Sequence, residues 1–499
     1  MPRASIGSGR RAVAALMLVS LIAAAARPIV AAAAVPSPTV EGPITAGGGP
    51  FVASTSFDLA LVGYEQAEYF IAGTASAFTA AAPLPSDGSW TVTPGATAAY
   101  KTRLLVNRPT RREKFNGTVV VEWLNVSGGL DASPDWTSAH TELIRDGFAW
   151  VGVSAQYAGV EGGGGLLPIV DLPLKKVNPA RYGSLVHPGD SFSYDIFSQA
   201  GEAIRHPMGP KPLGDLEAKR VIAAGESQSA FRLVTYIDAV HPLAGVYDGF
   251  LVHSRGAGGV FGAPLSQSPQ PSIATPAPTF IRTDLRVPVL TFETETDLTF
   301  LGFYPARQPD SRRFRLWEVA GTAHADTYLL VTGPGDLGNS PAAAGIVITP
   351  APIPGIITCG MPVNSGPQHL VLNAAFAALD RWVRTGKPPA RAPRLQVAAG
   401  PPPAIMRDAR GNALGGIRTP QVDVPIAAFT GEQEGSIICR LLGTTTLFDA
   451  ATLASLYPSH RAYVAAFDRA TTRTVRAGFL RKPDAKLLRQ WAAASDVGR

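Results

Sequence analysis

Cysteine and charge are both scarce in this chain of 499 residues. Its two cysteines, Cys359 and Cys439, have no nearby Cys or His at metal-site spacing, which argues against a zinc-type module. Charged residues make up 16% and hydrophobic residues 46%, the balance of a folded chain with few surface charges rather than a disordered one. The formal charge is +6, yet residues 1–34 hold four arginines and no acid, leaving +2 for the remainder. With no basic stripe either, nucleic acid is not an expected partner. After residue 34 no apolar run is long enough to suggest a membrane span.

Glycine (51) and proline (44) are abundant, so many ordered loops are expected between short elements. The first 34 residues read as an export signal: Arg3, Arg10 and Arg11 precede an apolar run from Ala12 to Ala26, and small residues follow to Ala34. An uncleaved anchor is the alternative. Export predicts a periplasmic or extracellular protein with no stable membrane insertion once the signal is removed. In such a compartment Cys359 and Cys439 can form one disulfide, the alternative being two buried thiols.

Residues 35–99 predict a β-rich N-terminal extension, with short strands at Phe57–Tyr64 and Glu68–Ala72. From residue 100 to 385 strands and helices alternate. Strands are expected at 100–106, 117–124, 148–154, 220–224, 249–253, 287–292 and 314–319, and helices at 136–146, 194–205, 229–239 and 370–384. That alternation predicts an α/β fold, a mostly parallel sheet with helices on both faces. Two Pro/Gly-rich stretches, 256–286 and 333–367, interrupt it and read either as covers over a site or as surface decoration. Residues 386–499 predict short strands and turns, then helices.

The segment that carries chemistry is Gly225-Glu226-Ser227-Gln228-Ser229, between an expected strand and an expected helix. A nucleophile on such a turn is lifted out of the sheet, and the turn needs small residues two positions either side. Gly225 and Ser229 are small. The bland alternative is a helix cap. A serine hydroxyl needs a base, and the base an acid, in the order Ser, acid, His. Downstream, Glu293-Thr-Glu-Thr-Asp297 leaves one strand and Gly321-Thr-Ala-His324 leaves the next. Ser227, Asp297 and His324 are the expected triad, with Glu295 as the alternative acid and Glu293 less exposed on its strand. His241, at the helix end just after the nucleophile helix, and His253, ending a strand that should precede the acid strand, compete with His324, and His140, His187, His206, His369 and His460 fall outside the order. The backbone N–H of Gln228 is one expected oxyanion donor. A second is placed in the loop Asn125–Gly129, with Asn125 as a candidate and the donating residue left open.

These segments, with Glu122-Trp-Leu-Asn-Val126 and Asp408–Arg418, resemble the α/β-hydrolase superfamily and, more narrowly, the large bacterial "alpha/beta hydrolase domain" family with its GxSxS nucleophile motif. The resemblance implies an α/β-hydrolase fold and an esterase-like serine hydrolase with Ser227, Asp297 and His324 in the triad roles. No metal or organic cofactor is expected. The expected activity is cleavage of a small-molecule or polymeric carboxylic ester through an acyl-enzyme. The alternatives are an amidase or acyltransferase with the same triad, a non-catalytic exported binding protein on the same fold, and a structural envelope protein. Phe261, Phe280, Phe300 and Phe303, near the interrupting loops, read either as walls of an apolar pocket or as core residues. The substrate and the oligomeric state are left open by the sequence.

Overall fold

The computed structural model describes residues 1, 2, 4, 5 and 35–499, apart from 166, 168, 260, 261 and 399. The export signal expected in residues 1–34 lies almost wholly outside the described residues, as does Phe261.

One nine-stranded sheet organises the chain. In sequence order its strands are β1 (Thr39–Glu41), β2 (Tyr64–Thr79), β3 (Thr93–Pro109), β4 (Thr118–Trp123), β5 (Ala149–Val153), β6 (Arg220–Glu226), β7 (Gly249–His253), β8 (Val289–Glu293) and β9 (Phe314–Glu318). Their spatial order is β1-β2-β3-β5-β4-β6-β7-β8-β9. From β5 to β9 every pairing is parallel, and β1–β3 extend the edge antiparallel. β4 and β7 are buried along their whole length, as strands covered on both faces must be, which explains their near-continuous apolar sequence.

Two apolar cores fill the two faces. One packs Trp123, Phe197, Tyr236 and Phe250 beneath the helix Ser193–Arg205 and the helix Gln228–Thr235. The other packs Trp136, Trp150, Phe376 and Trp382 beneath the helices Pro134–Arg145 and Gln368–Thr385. The Pro134 helix starts where it does because Pro134 sits in its first turn and the buried Glu122 carboxylate accepts from the Asp135 and Trp136 N–H groups, both at 2.9 Å. That side chain therefore satisfies donors that a helix start leaves free.

Three expectations need correction. Phe57–Tyr64 is not a strand: Asp58 caps a short turn of 3-10 helix over Leu59–Val62, and only Tyr64 onward is extended. The boundary at residue 100 falls inside β3, whose 17 residues pair with β2 along most of their length, so the N-terminal extension is part of the main sheet. Buried ion pairs tie the same region to the core, with Arg103 2.7 Å from Asp131 and also facing Glu68, which in turn pairs with Arg181. Lastly, the helix expected at 229–239 begins at Gln228 and widens into a π turn over Tyr236–Val240.

Residues 386–499 add two small two-stranded sheets, then the helices His460–Ala477 and Lys482–Ala494 around their own apolar cluster. Cys359 and Cys439 are joined as a disulfide, with Cα atoms 5.6 Å apart. Among the described residues no helix is long and apolar enough to cross a membrane.

Candidate active site

Ser227 stands between β6 and the helix Gln228–Thr235 with φ +57° and ψ −123°, a conformation that non-glycine residues rarely adopt. Its N–H donates to the His253 carbonyl at 2.9 Å, which pins the turn to the end of β7. Gly225 is needed on the other side: a Cβ there would lie 3.0 Å from the Ser229 backbone. A larger residue at 225 would thus have to push the strand and the helix apart by a few tenths of an ångström. Ser229 is fully buried at the place where a second glycine is usual.

The side chains of Ser227, His324 and Asp297 form one hydrogen-bonded series. His324 Nε2 lies 2.8 Å from Ser227 Oγ, and its Nδ1 lies 2.7 Å from Asp297 Oδ1. Asp297 sits in a short helix, Glu295–Thr299, that starts directly after β8. Its second oxygen accepts from both the N–H and the hydroxyl of Thr294, each at 2.7 Å. Burial opposes the Asp297 charge, but the bond to and charge of His324, with the two Thr294 bonds, outweigh it and hold its pKa below the ordinary value. Burial likewise opposes a charged His324, while Asp297 and then Glu226 favour it, so its pKa is raised.

Glu295, the alternative acid, is engaged elsewhere. It accepts from Gly321 N–H at 2.6 Å and Gly431 N–H at 3.2 Å and pairs with Arg407 at 2.9 Å. Together with the Thr296 hydroxyl, which donates to the Gly431 carbonyl at 2.6 Å, it braces the acid loop against the C-terminal segment. Glu293 is the last residue of β8 and fully buried.

The Gln228 N–H is the first of its helix and has no acceptor among the described residues. Asn125 is different. Its N–H donates to the Ala132 carbonyl at 2.9 Å, and its carboxamide donates to the Glu226 carbonyl at 3.1 Å and carboxyl at 3.2 Å. No donor of Asn125 is left for a substrate, which corrects its placement as an oxyanion donor. In that turn it is the Val126 and Gly128 N–H groups that have no acceptor among the described residues.

Ser227, His324 and Glu226 open onto a cavity of about 360 Å³. Its wall is chiefly aliphatic: Leu329 and Leu330, Ile353 and Ile357, Leu441 and Leu442. The stretch 333–367 therefore contributes to the cover, through Pro334, Ile353 and Ile357, whereas the described part of 256–286 does not line the cavity. Phe280, Phe300 and Phe303 do not line it either; Phe303 is a core residue under Arg255. The disulfide ties the segment carrying Ile353 and Ile357 to the helix Ile437–Leu442, so two walls of the cavity are covalently linked.

Other groups near Ser227 carried no motif. His253 Nδ1 meets Asp135 Oδ1 at 2.9 Å and its Nε2 meets the Gln368 amide at 3.0 Å, all of it buried. Glu226, just before the nucleophile, was visible in the sequence as an acid inside the serine motif, and that was its only signal.

A mostly parallel sheet, a serine on the strand-to-helix elbow after β6, and an acid and a histidine after β8 and β9 define an α/β hydrolase. The chain belongs to the alpha/beta hydrolase domain family, whose profile matches residues 40–490. No curated protein sequence matches it. Similar solved structures include a lidless α/β serine hydrolase from Xanthomonas campestris, at 12% identity and a TM-score of 0.27, covering 44% of this chain and 78% of the other. A dienelactone hydrolase-like promiscuous phosphotriesterase from metagenomic libraries is 12% identical with a TM-score of 0.25, covering 50% and 81%. A carboxylesterase from Lactobacillus plantarum is 11% identical with a TM-score of 0.23, covering 39% and 68%.

Proposed function

We propose that the protein is an exported serine hydrolase that cleaves carboxylic esters with apolar groups. The unbroken series Ser227–His324–Asp297, at 2.8 and 2.7 Å, carries this reading. Ser227 Oγ attacks the acyl carbon while its proton passes to His324 Nε2. Asp297 orients the imidazole through Nδ1 and stabilises its charged form. The Gln228 N–H receives the developing oxyanion, helped by the helix start and by an N–H of the 126–128 turn. His324 then returns the proton to the leaving alkoxide, the C–O bond breaks, and an acyl-enzyme remains. Water, deprotonated by the same imidazole, releases the acid and restores Ser227. None of these steps calls on a metal or an organic cofactor.

The aliphatic cavity supports an uncharged, apolar ester: among the described residues no lysine or arginine lines it, and the one carboxyl among them, Glu226, stands beside the nucleophile. Export is supported by the basic and apolar pattern of the first 34 residues and by the Cys359–Cys439 bond, which suits an oxidising compartment.

The test is a panel of p-nitrophenyl esters of increasing acyl length, with wild type beside Ser227→Ala. Turnover by wild type alone, peaking at a short or medium acyl chain, is expected. Equal turnover by Ser227→Ala refutes the reading.

A further inference from the structure

We propose that the Glu226 carboxyl is a positioning group for His324: ionised, it holds the imidazolium formed during acyl transfer, and protonated, it occupies Nε2 and turns the base off. This rests on the serine hydrolase reading above and adds a pH gate to it.

The triad chemistry has no need of a second carboxyl beside the nucleophile, and burying one is costly unless it is used or compensated. Glu226 is nonetheless 5% exposed and fixed in one orientation. The Asn125 carboxamide donates to its Oε2 at 3.2 Å and to its carbonyl at 3.1 Å. Asn125 is itself oriented, because its Oδ1 accepts the Ser127 N–H at 2.7 Å. Nδ2 must therefore be the donor, Oε2 the acceptor, and any proton on Glu226 must sit on Oε1. That oxygen lies 3.4 Å from His324 Nε2, the atom that takes the serine proton.

Charged groups face Glu226 from four elements. His324 faces it from the loop after β9, His253 from the end of β7, Asp135 from the start of the Pro134 helix, and Asp297 from the short helix after β8. Burial pushes the carboxyl up, the two imidazoles pull it down, and Asp135 and Asp297 push it up again, to about 7. Protonation of Glu226 thus falls near neutral pH. With one proton shared between Oε1 and Nε2, neither arrangement leaves a free base, and Ser227 Oγ loses its acceptor. When that proton leaves, His324 is neutral and the adjacent carboxylate favours the imidazolium as it forms.

The experiment is the pH profile of kcat/KM on a neutral p-nitrophenyl ester for wild type, Ser227→Ala, Glu226→Gln and Glu226→Asp. Thermal melting and fluorophosphonate titration report folded and active protein. Removing the charge is expected to move the acid limb of Glu226→Gln down by about one pH unit and to lower its plateau roughly tenfold. Glu226→Asp keeps the charge but shortens its reach, and its limb is expected between the two. A Glu226→Gln limb superimposed on wild type, with only the plateau changed, overturns the proposal and leaves a purely structural role. If Glu226→Gln does not fold, a Glu226→Asp limb identical to wild type overturns it equally. Inactive Ser227→Ala in the same series keeps the hydrolase reading standing whichever way Glu226 falls. Active Ser227→Ala removes both.

Discussion

Thr294 grips Asp297 from two directions, with its N–H and its hydroxyl each 2.7 Å from the same carboxylate oxygen. The other oxygen is thereby left for His324 alone. A capping box at the start of a five-residue helix has become the device that aims an acid at a base.

This arrangement separates the two candidate acids. Asp297→Asn is expected to keep the fold and lower kcat by roughly a thousandfold or more, because a neutral amide favours the wrong imidazole tautomer. Glu295→Gln keeps its acceptor oxygen but loses the Arg407 ion pair, so its main effect falls on stability, about 1–3 kcal/mol, with kcat within tenfold. Steady-state kinetics and denaturant melts of both variants check this. A larger kcat loss in Glu295→Gln than in Asp297→Asn reverses the assignment.

Much of this site was legible in the sequence. Ser227, Asp297 and His324 could be picked out because each leaves the end of a strand whose apolar run was plain, and the parallel sheet brings those ends together. The N-terminal boundary was not legible: β3 carries exposed, weakly patterned residues at 93–99 that join the sheet only through pairing with β2. Asn125 reads as a donor because its loop is glycine-rich, yet the Ala132 bridge within the same turn and Glu226 absorb its hydrogens, and the Glu226 contact is made across the fold rather than along the chain. The cavity walls were hidden for the same reason. Leu329, Ile353 and Leu441 are far apart in sequence and have no periodicity in common.

The disulfide closes a loop of 80 residues between two cavity walls. Cys359→Ser with Cys439→Ser is expected to cost about 2–4 kcal/mol of stability. It is also expected to flatten the preference among acyl lengths, since Ile353 and Ile357 are no longer tied to the helix bearing Leu441 and Leu442. Melting curves and the ester panel measure the two effects. An unchanged length profile would show that the walls are held without the bond.

Asp326 gives a stability test that does not involve catalysis. One of its oxygens accepts the Leu329 N–H at 2.9 Å, and the other has no partner among the described residues. Burial pushes its pKa up to about 7. A carboxyl raised in the folded state holds an extra proton there, so its contribution is fully present below the unfolded value, about 3.9, and is lost as pH rises through about 7. Asp326→Asn removes this dependence. Its melting temperature should change less than that of wild type between pH 5 and pH 8, for a difference on the order of a few kcal/mol. Parallel curves for the two proteins contradict the assignment.

Everything proposed for this site depends on Ser227 being an activated nucleophile. The most direct measurement is to treat the folded protein with a fluorophosphonate and locate the adduct by peptide mass spectrometry. One adduct is expected, on Ser227, absent from Ser227→Ala and strongly slowed in His324→Ala. No adduct on well-folded protein, or one on another serine, would contradict it.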